Sequence, residues 1–151
     1  MSRSVKFPVA VHVMVALAYA RDRCVNSEWL AKSVATNPVV VRRTLQALKK
    51  SGLVESQGGV YGGSRLARPP EEISLRDIFE SVEKTESCHI HDPNLKCCIA
   101  KTITQVVPEI LNEVETARRE QLEKFTVAQI LDQIEPEAEE SAAASDLKSA
   151  C

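Results

Sequence analysis

The sequence predicts a mainly α fold with a small β-hairpin wing: a winged helix-turn-helix joined to a long dimerisation helix. Three stretches predict it. Residues 36–52, TNPVVVRRTLQALKKSG, read as one short helix with both ends marked and one basic face. Directly after it, two short extended runs flank the glycine-rich tip GGVYGG. Further on, from about Cys97 to Phe125, apolar residues recur at a helical spacing. A helix of that length is too long for so small a domain to bury alone.

Taken in order, residues 5–22 form the first helix. It is apolar almost all round and therefore buried on most faces. His12 within it reads as a core or interface histidine rather than a ligand. Arg3 and Lys6, followed by an apolar run from Phe7 to Ala20, imitate a short signal peptide. Pro8 and His12 interrupt that run, and cleavage would strip the first helix from the motif, so the segment is read as structure. No run reaches the ~18 apolar residues of a membrane-spanning helix. After a turn at 23–26, Ser27 caps a second helix, SEWLAKSVA, with Leu30, Ala31 and Val34 inward. In the third helix Asn37 takes the N-cap, Pro38 the first helical position, and Gly52 the left-handed residue past the last turn. Val41, Leu45 and Leu48 share one face of it. Val39, Arg42, Arg43, Gln46, Lys49 and Lys50 share the other.

LVESQ and SRLAR form the hairpin around GGVYGG. Gly58, Gly59, Gly62 and Gly63 permit positive φ and close approach to a phosphate backbone. Tyr61, Arg65 and Arg68 supply groups for that backbone or a minor groove. Pro69-Pro70 ends the wing. Ser74 and Asp77 then open a short amphipathic helix with Ile73, Ile78, Phe79 and Val82 apolar. Residues 84–96 are a loop. In the long helix, Ile99, Ile103, Val106, Ile110, Ala117 and Phe125 form the apolar stripe, and Pro108 should kink or divide it. Thr126 and Gln129 cap a last helix, TVAQILDQI. From Glu135 the chain is acidic and low in complexity. The resulting divisions are 1–83, a DNA-binding winged helix-turn-helix; 84–96, a sensor loop; 97–134, dimerisation helices; and 135–151, a disordered acidic tail.

Charge is polarised along the chain. The net charge is −2, yet residues 1–70 hold 11 Lys+Arg against 3 Asp+Glu, and residues 71–151 hold 8 against 18. A basic N-terminal half is the footprint of a nucleic-acid binder. Guanidinium forks and an amide read base edges, and lysines meet phosphates. The candidate DNA-binding set is Ser27, Asn37, Pro38, Val39, Arg42, Arg43, Gln46 and Lys49 from the motif, with Tyr61, Gly62, Gly63 and Arg65 from the wing. No nucleophile–base pair, phosphate loop or paired acid set has catalytic spacing, so an enzyme is the weakest reading. Five cysteines, two of them adjacent, do not make a secreted disulfide framework. They fit a cytoplasmic protein with reduced, reactive or metal-bound thiols.

These parts together resemble the Rrf2 family of bacterial winged-helix repressors. The resemblance rests on SEWLAKSVATNPVVVRRTLQALKKSGLVES, GGVYGGSRLAR, SLRDIFESVE, HIHDPNLKC and TVAQILDQI, and covers about residues 3–134. It implies a homodimer, an inverted-repeat operator in double-stranded DNA, and a signal read near the loop before the long helix. Members that carry an iron–sulfur cluster have three well-separated cysteines there. This sequence departs from them, with Cys88 and then Cys97 and Cys98 side by side. The nitric-oxide-sensitive members also draw an acidic ligand from the first helix of the partner subunit, and this chain has no Asp or Glu before Asp22. It looks more like the cluster-free branch, which keeps a single cysteine at the position of Cys97.

No cofactor is therefore expected. Cys97 and Cys98 lie where the long helix begins, and a helix N-terminus favours a thiolate. Cys97 is the candidate redox sensor, with Cys88 as its resolving partner across the loop. The alternatives are an iron–sulfur cluster, or zinc or copper held by Cys88, His91 and Cys97 as C-x2-H-x5-C. A further alternative is a small molecule as effector, or a partner protein docked on the acidic C-terminal half. Cys24 and Cys151 read as incidental. No membrane partner is implied.

Overall fold

The helices that begin at Ser27, Pro38 and Leu75 are each capped by the side chain of the residue just before them. The fold is described from a computed structural model covering residues 5–21, 23–83 and 97–138. Helix α1 spans Lys6–Tyr19. Pro8 lies in its first turn, where the missing N–H has no intrahelical partner to lose. The helix is shorter than the expected 5–22, because the chain leaves it through Arg21 at φ +57°. Ala10 and the continuous run Val13–Ala18 are buried. His12 is not in the core. It is exposed, and its Nε2 lies 2.9 Å from Ser33 Oγ.

Helix α2, Ser27–Val34, is capped one residue earlier than expected. Asn26 is extended, and its side chain accepts the Trp29 amide at 2.8 Å. Ser27 is already helical, which frees its hydroxyl for side chains. Leu30 and Ala31 are buried against the third helix. Ala35 closes α2 in the left-handed region at φ +55°, and the Thr36 amide donates back to the Ala31 carbonyl at 2.9 Å. The turn delivers the chain to α3, Pro38–Lys50, where Asn37 accepts the Val39 amide at 2.8 Å. Gly52, at φ +70°, ends it as expected.

Strands β1, Val54–Gln57, and β2, Gly63–Leu66, form an antiparallel hairpin with Glu55 opposite Arg65 and Gln57 opposite Gly63. Val25 adds a third rung: its N–H and C=O both bond Ser64 at 2.9 Å. This explains two glycines differently from the sequence reading. A Cβ on Gly63 would lie 2.7 Å from the Val25 carbonyl oxygen, and one on Gly62 would lie 2.3 Å from that of Gln57. Both are small because protein backbone passes against them. Within the hairpin, Gly59 alone has positive φ.

A short 3-10 turn, Pro70–Glu72, leads to α4, Leu75–Val82. Ser74 and Asp77 form the full reciprocal capping box. Helix α5, Cys98–Glu123, runs undivided through Pro108. The proline forfeits one hydrogen bond of the ladder, and long helical segments on both sides carry the gap. Helix α6, Val127–Ala138, opens on reciprocal bonds between Thr126 and Gln129. It continues past Glu135, where the sequence suggests a tail, so residues 135–138 are helical.

The core gathers α1, the inner faces of α2 and α3, Leu53, Val54, Ile73 and Ile78. Val127 is also fully buried in it, with Ile130 and Leu131 packed alongside. Two backbone bonds stitch α6 to the start of α4: Leu75 N–H to the Phe125 carbonyl, and Val127 N–H to the Ile73 carbonyl. Helix α6 thus packs with the N-terminal unit, although the sequence division groups it with α5. Among the described residues, no helix is long and apolar enough to cross a membrane.

Candidate nucleic-acid interface

Helix α3 divides cleanly. Val41, Thr44, Leu45 and Leu48 are buried, while Val39, Arg42, Arg43, Gln46, Lys49 and Lys50 are exposed. Its outer face is held rigidly because the inner one is locked in the core. Among the described residues, the side chains of Arg43, Gln46, Lys49 and Lys50 make no hydrogen bond or ion pair. They are uncommitted donors on a fixed helix, which is what reading a groove requires.

Arg42 differs. Its Nη2 donates to Glu28 Oε1 at 2.5 Å, and its Nε donates to Ser27 Oγ at 3.3 Å. Ser27 Oγ donates in turn to Glu28 Oε2 at 3.2 Å. The Glu28 backbone amide, then Arg42, then Ser27 hold the Glu28 carboxyl below the usual carboxylate range. This cluster sits in a groove of about 400 Å³, lined also by Gln46, Lys49 and Ser56, where α2, α3 and the hairpin meet. The Asn37 side chain is committed to capping, and Pro38 is half-buried.

On the wing, Tyr61 is 89% exposed and Val60 95%. Arg65 is ion-paired to Glu55, the residue opposite it in the hairpin. The structure therefore sorts the sequence-predicted set. Val39, Arg43, Gln46, Lys49 and Tyr61 stand outward without side-chain partners among the described residues. Ser27, Asn37, Arg42 and Arg65 are engaged within the protein, and Gly62 and Gly63 serve the packing of the hairpin. The sequence reading passes over Glu28, although the first 70 residues hold three acidic residues. Two of them, Glu28 and Glu55, each neutralise an arginine assigned to DNA. That scarcity was the available signal.

Cys97 is the half-buried N-cap of α5, with no capping bond from its side chain. Cys98 begins the helix; its side chain, and Cys88 and His91 altogether, lie outside the described residues. Cys24 donates to Gln57 Oε1 at 3.6 Å, beside the hairpin rather than the long helix. The C-terminal half of α5 meets α4 through Arg118, 4.3 Å above the Phe79 ring, and through Arg76, which pairs with Glu80 and Glu123. The Glu80 carboxylate, before that of Glu123, holds the Arg76 guanidinium more firmly protonated than usual.

Comparison with known proteins accords with this geometry. A family model described as Rrf2, an iron-dependent transcriptional regulator, matches residues 3–133. YwnA of Bacillus subtilis, which bears the name of an HTH-type transcriptional regulator, is 34% identical over 131 residues, spanning 85% of this chain and 96% of its own. NsrR of Halalkalibacterium halodurans, also an HTH-type transcriptional regulator, is 33% identical over 87 residues, 56% of this chain and 58% of its own. Among solved structures, a transcriptional regulator from Lactobacillus plantarum is similar with a TM-score of 0.76 and 25% identity, covering 87% of this chain and 90% of its own. The global cysteine regulator CymR of B. subtilis shares the fold at a TM-score of 0.66 and 20% identity, covering 88% and 98%. These relatives regulate transcription and are not enzymes.

Proposed function

The chain belongs to the Rrf2 family of DNA-binding transcriptional regulators, and from that premise we propose that it acts as a homodimeric repressor in the cytoplasm, released from DNA by thiol chemistry at Cys97. The observation that carries the dimer is the outer face of α5. Ile99, Ile103, Val106, Ile110 and Val114 follow one another at a helical spacing, and every one of them is exposed. A helix of 26 residues, about 39 Å long, leaves this stripe in water unless a second copy covers it. A two-fold pair of heads sets two α3 helices ~34 Å apart, in successive major grooves of an inverted repeat.

In this reading Arg43 and Gln46 address base edges, Lys49 a phosphate, and Tyr61 a neighbouring groove. A peroxide oxidises the Cys97 thiolate to a sulfenic acid, releasing water or an alcohol. Cys88 then closes a disulfide with loss of water. The change at the N-cap of α5 moves the long helix and alters the spacing of the heads.

The family model's description favours a second reading, in which the loop senses iron. The donors fit a three-cysteine cluster poorly. Cys97 and Cys98 are consecutive, one the non-helical cap and the other the first helical residue. Metal analysis of anaerobically purified protein tests this reading, and the Cys88, His91 and Cys97 set for zinc or copper with it.

The decisive experiment is fluorescence anisotropy on an operator selected from a random duplex library, at fixed salt, before and after peroxide. Tight reduced binding that peroxide abolishes, and that Cys97→Ser preserves, is the expected result. Release of Cys97→Ser like the wild type would refute the sensor. Arg43→Ala is expected to cost ~1–3 kcal/mol of specific binding.

A further inference from the structure

The geometry points to Glu28 as a specificity-determining residue that orients Arg42 for one base edge and withholds it from phosphates. The inference rests on the reading of α3 as the helix that enters the major groove.

A guanidinium has five N–H donors on a rigid plane. Its side edge is Nε–H with the nearer Nη2–H, and its far edge is the remaining Nη2–H with Nη1. In this structure Ser27 Oγ accepts from Nε and Glu28 Oε1 from Nη2, so the side edge is filled. Ser27 completes a closed set by donating to the other carboxylate oxygen. The far edge has no acceptor among the described residues. Two parallel donors on that edge match the O6 and N7 acceptors of guanine. An unpaired arginine on an exposed helix samples many rotamers and settles on any phosphate within reach. One clamped along its side edge presents a single fork in a single direction.

The charge argument runs the same way. Glu28 and Arg42 line one groove with Gln46 and Lys49. Paired, they add no net charge to the surface facing DNA, so Arg42 contributes little to sequence-independent attraction. Without the carboxylate, Arg42 becomes a general phosphate ligand. The pair is exposed on both sides, so its worth to folding stability is small. An effect of Glu28 on base preference is thus separable from one on the fold.

The test is selection from a random duplex library with full-length wild type, Glu28→Gln, Glu28→Asp, Arg42→Ala and the Glu28→Gln/Arg42→Ala double variant. Thermal unfolding and the salt dependence of binding to a non-specific duplex are measured in parallel. Wild type is expected to enrich a site, and Arg42→Ala to relax it at one base pair of each half-site. Glu28→Gln is expected to relax that same base pair, by roughly tenfold in discrimination. It also binds the non-specific duplex more tightly, with a salt slope steeper by about one. Glu28→Asp restores part of the preference, and Glu28→Gln adds nothing once Arg42 is gone. Unchanged preference and slope in Glu28→Gln overturn the inference, as does an Arg42→Ala variant that relaxes no position. A wild type that enriches no sequence overturns the DNA-reading premise itself, and this inference with it.

Discussion

Helices α3 and α5 are both amphipathic, and they meet opposite fates. In α3 the inner apolar side is closed by the chain itself: Val41 and Leu48 are fully buried, and the basic side meets water. In α5 the stripe at Ile99, Ile110 and Val114 stays 66%, 52% and 60% exposed. Its polar residue Arg118, by contrast, lies over the Phe79 ring and helps to dock its C-terminal half on α4. The difference teaches that, among the described residues, the head closes its own apolar face, whereas α5 leaves open the stripe that the proposed dimer would cover. A buried face holds a reading face still, and an exposed apolar face asks for a partner.

Perturbations of decreasing size sharpen the contrast. Leu48→Ala, in the closed face, is expected to lose roughly 2–5 kcal/mol of stability in urea unfolding. Ile110→Glu, in the open face, is expected to leave the far-ultraviolet dichroism of the head intact. Sedimentation should then report a monomer, and operator affinity should fall about a hundredfold as the two-site advantage disappears. If Ile110→Glu unfolds the chain while remaining dimeric, the contrast is broken. Gly63→Ala forces a Cβ to within 2.7 Å of the Val25 carbonyl and is expected to cost about 1–3 kcal/mol. Loss of amide protection at Ser64 would locate that damage. Ala35→Gly works in the opposite direction. The residue sits at φ +55°, where a side chain costs roughly 1–2 kcal/mol, so the variant should melt at a higher temperature without altered DNA preference.

The parts of the interface the sequence made legible are those set by near neighbours. Asn37, Pro38 and Gly52 define the ends of α3 by bonds to amides and carbonyls within one turn. The spacing of Val41, Leu45 and Leu48 chooses its inner face. The capping pairs Ser74–Asp77 and Thr126–Gln129 are equally local, and each was found where the sequence places it. The cap of α2 falls at Asn26, one position before the Ser27 that the sequence suggests, because both residues are good caps. Only the backbone conformation decides between them.

What the sequence by itself determined is therefore the set of helices, the hairpin and the uncommitted side of α3. These follow from bonds and periodicities spanning a few residues. Only the tertiary structure decided what those residues face. Glu28 clamps Arg42 from another helix. Val25 makes Gly63 obligatory. His12 is outward beside Ser33 rather than in the core. The last helix lies in the head through Val127 rather than beside α5. Each of these pairs is far apart along the chain, and no periodicity records a contact made only when separate elements pack.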